Sequence, residues 1–544
     1  MGNGGLFDYI VVGAGSAWCV LAERLTASGR HRVLLLEAGP ADRNLWIHVP
    51  LGYGKLFTNA RYNWLYQSEP EPELNNRRII QPRGKVLGGS SSINGLLYIR
   101  GQREDFDHWR QLGNTGWSYD DVLPHFLQSE DQLRPDLGDA YHGRGGPLGV
   151  SDVEKHPLCE AFIDAAEQAG FPRNDDFNGA TQEGAGYYQL TCRSSRRCST
   201  AKGYLKPALK RDNLKVVSEA LATRVLMEGK RAVGVEYRLH GQLFQARASG
   251  EVVLSGGAFN SPQLLQLSGI GPGELLRSHG LDVRHDLPGV GDDLQDHFQV
   301  RFNYRCTERI TINDMMASFP RQVGAVLDYV FKGKGPLTIG AGYAGGFFKT
   351  DPALASPDVQ IHFILFSADA IGQKLHPFPG FLSSICQLRP QSRGTVRIKS
   401  ADPSEAPAIR PNYLSAQHDR DVTLAGMKLQ RKIMGQPAIT RYIDEELNPG
   451  QQYQTDEQFL DYARAKGTTI FHPTSTCRMG PDARAVVDER LRVRGVEGLR
   501  VIDGSIMPTV VSGNTNAAII MIGEKGAQMM LEDAKSSAPL KVAV

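Results

Sequence analysis

A glycine loop between two short apolar runs constrains the fold of this chain more than any other feature. Residues 7–12, apart from Asp8, and residues 33–36 are apolar stretches rich in Val, Ile and Leu, which is typical of parallel strands buried on both faces. Between them, the loop GAGSAW at 13–18 leads into a helical spacing of apolar residues. Strand, glycine turn, helix and strand form a βαβ unit with a right-handed crossover. The sequence therefore predicts that the chain opens a doubly wound α/β sheet.

The same loop has the pattern of a dinucleotide-binding site. Gly13 permits the tight turn, and Gly15 lets the backbone approach a pyrophosphate at the helix N-terminus. Glu37 ends the next strand, where its carboxylate can accept hydrogen bonds from ribose hydroxyls and disfavours a 2′-phosphate. The third position of the pattern, normally Gly or Ala, is Trp18. Either the helix is displaced, or the indole points into a cleft beside the cofactor, or the residue is an engineered substitution, or the loop is locally remodelled and Trp18 has no role.

Length and composition favour a globular protein that acts on a small molecule. The 544 residues exceed the roughly 250–300 that one core usually supports, so two domains are expected. Apolar residues make up 41% and charged residues 22%, which excludes a wholly disordered, collagen-like or membrane-embedded chain. The net charge of +2 does not favour nucleic-acid binding. No apolar run is long enough to span a bilayer, although peripheral membrane contact stays open.

The seven cysteines form no CxxC pair, so neither a disulfide framework nor a metal site is predicted. The start MGNGGLFDY leaves no room for a signal peptide. Both features favour a reducing compartment, and we expect a cytoplasmic protein.

Further α/β pieces lie far along the chain. Residues 251–258 and 499–505 are similar to strands, and NSPQLLQLSGIG at 260–271 starts like a capped helix. The stretch 40–150 is rich in Gly, Pro and Asn, so we expect it to be largely loop and stabilised by a large ligand. The nucleotide-binding domain is therefore predicted to be discontinuous.

Four separated motifs resemble one known family. GKVLGGSSSINGLLYIRGQREDFD at 84–107 and SGGAFNSPQLLQLSGIGP at 255–272 resemble the two signatures of the glucose-methanol-choline (GMC) family of FAD-dependent oxidoreductases. FHPTSTCRMG at 471–480 and the segment 502–525 continue the resemblance, which is strongest to choline-dehydrogenase-like alcohol dehydrogenases. The resemblance implies a Rossmann-like FAD domain and a substrate domain built on an antiparallel sheet with helices. We assign 1–155, 195–298 and 465–544 to the FAD domain, and 156–194 and 299–464 to the substrate domain.

The resemblance also implies where FAD binds. Small residues at 88–91 allow backbone amides to approach a flavin ring and phosphate oxygens. Some members carry a histidine that bonds covalently to the flavin, but that position is Ile93, so noncovalent FAD is expected. Asn94 is expected at the flavin face, Val225 at the adenine and Asp503 at the ribityl and phosphate region. The full expected set is Gly13, Gly15, Ser16, Ala17, Glu37, Ala38, Gly84, Val86, Gly89, Ser90, Asn94, Gly95, Leu97, Val225, Asp503, Gly504, Asn514 and Thr515.

His472 and Asn514 are the predicted catalytic residues. Oxidising an alcohol requires a base for the hydroxyl proton, and a histidine, with an ordinary pKa of about 6.5, can act as that base at neutral pH. His472 resembles the family's catalytic histidine, and Asn514 matches the second active-site position, where it would hold the substrate oxygen. His297, His362 and His376 have no such support from the motifs.

The substrate is expected to be an alcohol other than choline. Choline-oxidising members carry a glutamate just before the AGGF segment, where this chain has Tyr343. Tyr343, Phe363 and Phe471 suggest a pocket for an aliphatic or aromatic primary alcohol, although aromatic residues in strands are often core. The electron acceptor is either quinone-like, which we favour, or O2. Alternatives are a hydroxynitrile lyase, a fatty-acid photodecarboxylase, and a protein that lacks FAD because of Trp18.

Overall fold

Two large sheets organise the computed structural model, which describes residues 2–370 and 372–536. The first sheet is centred on Gly2–Val12, which runs parallel to Val33–Leu36 on one side and to Gln242–Leu254 on the other. The chain thus winds outward in both directions from its first strand, and the predicted doubly wound α/β fold is confirmed. In spatial order the strands are Leu214–Val217, Val33–Leu36, Gly2–Val12, Gln242–Leu254, Arg231–Leu239 and Ala220–Glu228, with Leu499–Val501 pairing beside Gln242–Leu254.

The second sheet is antiparallel throughout, as expected. Its middle strand Gly380–Gln387 is buried at every position, since both faces of the sheet are covered. The strands in spatial order are Ile443–Asn448, Phe298–Cys306, Gly380–Gln387, Val359–Ile364, Ala344–Phe348 and Gly184–Tyr187, with Thr468–Thr469 pairing beside Phe298–Cys306.

The predicted domain limits stay a prediction. The strands of the two sheets fall on either side of these limits, except that Thr468–Thr469 belongs to the second sheet. Residue 1 and residues 537–544, which the predicted FAD segments include, lie outside the described residues.

The helices cover both sheets. The expectation that 40–150 is largely loop is wrong for part of that stretch, because Arg103–Gln111 and Tyr119–Ser129 are helices, each with a capping box. Among the described residues, no helix has the length and apolar character that crossing a bilayer requires. The α-helices are Ser16–Thr26, Leu45–His48, Arg103–Gln111, Tyr119–Ser129, Pro157–Gln168, Lys206–Ala208, Gly257–Leu267, Gly273–Ser278, Ile312–Met316, Phe319–Lys332, Gln417–Met434, Pro437–Thr440, Asp456–Lys466 and Asn516–Ser536.

Trp18 lies in the core behind the glycine loop. Its side chain has no exposed surface, and within the described chain its indole Nε1 has no hydrogen-bond partner. The neighbouring residues 13–17 line a cavity, but Trp18 does not. The indole therefore does not point into a cofactor cleft. The ring belongs to the large apolar core around the first sheet.

Candidate active site

Two adjoining cavities lie where the parallel strands of the first sheet end. Val12, Leu36 and Leu254, the last residues of three neighbouring parallel strands, line the first cavity, of about 160 Å³. Ligands of doubly wound folds bind at this edge. The second cavity, of about 580 Å³, extends toward the antiparallel sheet. Ser16, Arg83, Ser90 and Ile519 line both cavities, so the two adjoin.

The glycines of the first cavity provide close backbone approach. Gly13 has a φ of +95°, and a Cβ there would lie 2.7 Å from the Ser255 carbonyl oxygen. A Cβ on Gly89 would lie 2.7 Å from the Cα of Gly15. The helix Ser16–Thr26 has no side-chain cap at its N-terminus, which leaves its first backbone N–H groups for an anion. This cradle fits a pyrophosphate.

Glu37 links the glycine loop to the end of the second strand. Its carboxylate accepts hydrogen bonds from the backbone N–H groups of Ala14 and Gly39, both at 2.7 Å. Burial raises the pKa of Glu37 to about 7 in spite of these two hydrogen bonds. The carboxylate lines the first cavity, where its remaining lone pairs can accept from hydroxyl groups.

Asp503 holds the opposite wall of the first cavity. It accepts hydrogen bonds from Gly257 N–H at 2.8 Å, Ser261 O–H at 2.6 Å and Ser505 N–H at 2.8 Å. Burial raises the pKa of Asp503, and these three donors oppose that rise. The side chain thereby ties the strand Leu499–Val501 to the start of the helix Gly257–Leu267.

His472 lies on the second cavity and is held in one tautomer. Its Nδ1 is 3.0 Å from Nδ1 of His297, and Nε2 of His297 is 2.9 Å from the Leu388 carbonyl oxygen. A carbonyl only accepts, so His297 carries its proton on Nε2 and, since burial lowers its pKa to about 4, its Nδ1 is bare. His472 must then donate from Nδ1. Its Nε2, on the cavity side, carries a lone pair and no proton.

Asn514 lies at that lone pair. Its Nδ2 is 3.2 Å from Nε2 of His472, and its Oδ1 accepts from Nε2 of Gln360 at 3.2 Å. The two contacts agree on the orientation of the amide, with the NH₂ group toward His472. A hydrogen-bond donor and a base therefore converge on one point of the second cavity.

His472 is held as a neutral base by its surroundings. Burial lowers its pKa well below the ordinary value, and His297, His362 and Arg83 lower it further. Its backbone N–H donates to Asp296 at 2.8 Å. The preceding residue, Phe471, has a φ of +71°, a backbone conformation that residues other than glycine rarely adopt. The Phe471 carbonyl accepts from Arg83 at 2.7 Å, which helps to hold this strained backbone.

The cavities contain most of the residues predicted from the sequence. Val225 is a departure: it is buried in the strand Ala220–Glu228, whereas Ala220, Leu221 and Ala222 line the first cavity. Val86 lies in an apolar cluster and lines neither cavity. The predicted residues that do line them are Gly13, Gly15, Ser16, Ala17, Glu37, Ala38, Gly84, Gly89, Ser90, Asn94, Gly95, Leu97, Asp503, Gly504, Asn514, Thr515, Phe471 and His472.

Two of the three predicted pocket aromatics are core residues instead. Phe363 stacks on Phe162 with ring centroids 4.9 Å apart, and Tyr343 contacts Tyr187 edge to face. Neither lines the second cavity, because both side chains fill the apolar core of the antiparallel sheet. Phe471 does line it.

Two histidines that the motifs did not single out belong to this site. His297 fixes the tautomer of His472, and His362 lines the second cavity. Within the described chain, neither ring nitrogen of His362 has a hydrogen-bond partner, and burial lowers its pKa to about 3. His376 instead contacts Ser367 and Asp369 outside the cavity lining. Among residues 2–370 and 372–536, no cluster of His, Cys, Asp or Glu could hold a metal ion.

Comparison with known proteins identifies the family. Residues 7–299 match the N-terminal family model, and residues 390–523 the C-terminal family model, of the GMC oxidoreductases. The chain belongs to the GMC oxidoreductase family. It is 43% identical over 530 residues to an alcohol dehydrogenase [acceptor] of Pseudomonas putida, covering 97% of this chain and 96% of the relative. It is 44% identical over 535 residues to the mitochondrial choline dehydrogenase of Homo sapiens, covering 96% of this chain and 89% of the relative.

Solved structures agree with this assignment. Pyridoxine 4-oxidase from Mesorbium loti has a TM-score of 0.87 at 29% identity, covering 96% of this chain and 99% of that one. An FAD-dependent oxidoreductase from Chaetomium thermophilum has a TM-score of 0.89 at 27% identity, covering 97% and 100%. This GMC oxidoreductase is thus an enzyme that acts on the CH–OH group of donors, and its family implies FAD, which the cradle at Gly13 and Gly89 fits.

Proposed function

We propose that this enzyme oxidises a primary alcohol other than choline to an aldehyde, or a secondary alcohol to a ketone, with His472 as the base. The bare Nε2 of His472 on the second cavity, next to the NH₂ group of Asn514, is the observation that carries the proposal. A base and a donor that meet at one point suit a hydroxyl group, which must lose a proton while its oxygen is held.

The residues of the chain would share the work as follows. His472 Nε2 takes the hydroxyl proton, and the Nδ1–H to His297 stabilises the resulting imidazolium. Asn514 donates to the substrate oxygen and orients the carbon that is oxidised. When bound, FAD supplies the acceptor for the hydride from that carbon.

The first cavity would hold the adenosine and pyrophosphate part of FAD. Glu37 would accept from the ribose, the N-terminus of the helix Ser16–Thr26 would bind the pyrophosphate, and Asn94 would lie beside the flavin. Ile93 offers no atom for a covalent bond, so we propose noncovalent attachment. Acid precipitation of the enzyme should then release the flavin into the supernatant.

Anaerobic spectroscopy with a panel of alcohols tests the proposal. Bleaching of the flavin band by an aliphatic or benzylic alcohol, but not by choline, is the expected result. A flavin that no alcohol bleaches would overturn it and favour a lyase or a light-driven decarboxylase. Rapid return of the flavin band on admission of air would indicate an oxidase, and slow return a dehydrogenase. We propose a dehydrogenase that uses a quinone-like acceptor.

Substitution of the base gives a sharper test. His472→Ala should retain FAD yet slow flavin reduction by at least about a hundredfold, the lower range of a general-base contribution. His376→Ala, outside the cavity lining, is the matched control and should reduce at the parent rate. Reduction of His472→Ala at the parent rate would remove His472 from the proposed chemistry.

A further inference from the structure

Arg301 places an uncompensated positive charge on the second cavity. It lies in the strand Phe298–Cys306 and lines the cavity together with Tyr53, Gln299 and Ser384. Its Nε is buried and has no hydrogen-bond partner in the described chain. Burial lowers the pKa of Arg301 to about 10, and only the Tyr53 and Tyr462 hydroxyls oppose that effect. The guanidinium, still charged at neutral pH, therefore lacks an acidic neighbour.

The three fully buried arginines Arg100, Arg197 and Arg500 are hydrogen-bonded through every nitrogen of the guanidinium. Arg100 bonds Glu130 at 2.6 Å, and Arg500 bonds Glu251 at 2.8 Å. Arg197 has no acidic partner but donates four hydrogen bonds, to the Ile47, Ser91 and Asn94 carbonyls and to the Asn94 side chain. Arg301 is partly buried, with its Nε fully enclosed, and its guanidinium lines the cavity without such partners. Since an unpaired charge away from bulk water is costly, this points to a ligand that pairs with it.

The charges of the second cavity are all of one sign. Its described lining contains Lys55, Arg83 and Arg301 but no Asp or Glu. Arg83 is engaged by the Phe471 carbonyl, and the ammonium of Lys55 lies over the Trp46 ring. Arg301 is thus the cation with unused donors. It shares the cavity lining with His362 and Asn514, and its charge lowers the pKa of His362.

We propose that Arg301 binds the carboxylate of the substrate, so that the preferred alcohols are hydroxy acids with an apolar body. This inference rests on the proposed alcohol oxidation. The planar guanidinium suits a carboxylate, and the apolar lining at Ile312, Met315 and Leu382 suits a carbon chain. The same positive charge repels a quaternary ammonium, which is independent support for excluding choline.

Binding of a carboxylate that cannot be oxidised tests this subsite apart from catalysis. Titration of the flavin-loaded enzyme with alkanoates of increasing chain length, followed by calorimetry, should show binding at least about tenfold tighter than that of the matched alkylamines. Arg301→Gln should abolish that preference. Arg305→Gln is the matched control, because Arg305 lies on the same strand, outside the cavity lining and near Glu445.

Steady-state kinetics then separates the two proposals. Arg301→Gln should raise KM for an ω-hydroxyalkanoate by at least about tenfold and leave KM for the matched alkanol unchanged. If alcohols reduce the flavin but Arg301→Gln changes neither alkanoate binding nor the KM for the ω-hydroxyalkanoate relative to that for the alkanol, the carboxylate subsite is overturned. Alcohol oxidation then stands. If alkanoates bind through Arg301 but no alcohol reduces the flavin, alcohol oxidation fails instead.

A second observation concerns the outer surface of the helix Phe319–Lys332. Phe319, Val330 and Phe331 are 76%, 64% and 79% exposed, and Val323, Val326 and Leu327 are exposed as well. Among the residues of this helix, only Ala325 is buried. At a helical period these six side chains share one face. With the exposed Met316 they form an apolar patch of a kind that marks an interaction site.

The surroundings of this apolar patch favour a lipid surface. Met316 and Val326 belong both to the patch and to the lining of the second cavity, so the patch borders the cavity mouth. Basic side chains outnumber acidic ones around it: Arg196, Arg309, Arg321, Lys332 and Lys334 against Glu154, Glu308 and Asp328. We infer that the helix Phe319–Lys332 docks the enzyme on an anionic membrane surface, with its apolar face among the lipid chains.

Vesicle flotation of the flavin-loaded enzyme tests the docking. Vesicles of phosphatidylcholine with phosphatidylglycerol should bind the enzyme, and those of phosphatidylcholine alone should bind it less. Phe319→Ser with Phe331→Ser should weaken binding at least about tenfold. Leu6→Ser with Leu209→Ser, exposed elsewhere, is the control. An equal loss in the control, no binding of the parent enzyme, or a dimer in sedimentation that Phe319→Ser and Phe331→Ser abolish would overturn the inference.

Discussion

Among single residues, His297 fixes the tautomer of His472, the proposed base, from outside the lining of the second cavity. The Leu388 carbonyl fixes the proton of His297 on Nε2, and the bare Nδ1 of His297 then fixes the proton of His472. The second cavity includes His472 in its lining but not His297. His297 is therefore a positioning residue.

His297→Leu removes the acceptor and should slow flavin reduction at least about tenfold, because His472 can then carry its proton on Nε2 and lose the free lone pair. His297→Gln keeps an acceptor and a donor and should restore most of the rate. Stopped-flow reduction of the two variants, at equal FAD content, checks this. A purely structural role for His297 would lower the stability of both variants without separating their reduction rates.

The pH dependence of flavin reduction should reflect the lowered pKa of His472. An ordinary histidine base would lose half its activity near pH 6.5, the usual pKa of its imidazole. Burial and the positive charge of Arg83 favour the neutral imidazole, so the loss moves to more acidic pH. We expect kcat/KM to stay level as pH falls through 6.5. A clear inflection at 6.5 that His472→Ala removes would contradict this environment.

Residue roles were predictable only where neighbours in sequence share a motif. His472 and Asn514 both lie in such motifs. His297 is 175 residues from His472 in the chain, and Arg301 shares its cavity with residues of several other segments. Their roles come from tertiary contacts, which a single sequence does not report.

Among secondary-structure elements, the positions of strands were predicted better than their boundaries. The first strand begins at Gly2 and not at residue 7, and the strand expected at 251–258 is Gln242–Leu254. The strand Val33–Leu36 has the expected bounds. The helix Gly257–Leu267 begins three residues before Asn260, the expected cap, whose side chain instead donates to the Tyr66 hydroxyl oxygen at 2.7 Å. The pairs Gln102 with Asp105 and Ser118 with Asp121 have the spacing of capping boxes. The glycine and proline content of the surrounding sequence nevertheless led to the prediction of a loop.

The packing of two helical glycines predicts that substitution by alanine changes the stability of the protein in opposite directions. A Cβ on Gly523, in the helix Asn516–Ser536, would lie 2.6 Å from the Ala17 carbonyl oxygen. Gly523→Ala should destabilise by about 1–3 kcal/mol, since the two helices must separate. At Gly324, in the helix Phe319–Lys332, a Cβ meets nothing within 4 Å, and Gly324→Ala should stabilise by up to about 1 kcal/mol. Thermal unfolding of both variants checks the signs, and stabilisation by Gly523→Ala would contradict the close approach.

In the whole molecule, the segment 40–102 lines both cavities and contacts parts of the chain that are distant in sequence. Arg77 donates to the Arg464 and Gly467 carbonyls, and Asn94 accepts from Arg197 at 2.7 Å. Apart from short helical turns and two-residue strands, the segment has little regular structure. The family resemblance predicted that residues of this segment contact FAD, and residues of the segment line both cavities. We therefore expect contact with FAD to help order the segment.

Removal of FAD should therefore loosen this segment first. A ligand that binds only the folded state stabilises it by about 2.7 kcal/mol at a hundredfold excess over Kd. The apoenzyme should unfold at lower temperature and be cleaved by protease within 40–102, and added FAD should reverse both changes. FMN, which lacks the adenosine that Glu37 would bind, should restore less. Scanning fluorimetry and mapping of the cleavage sites measure these effects. Identical cleavage with and without FAD would mean that the protein contacts alone order the segment, and that the ligand occupies a site already formed.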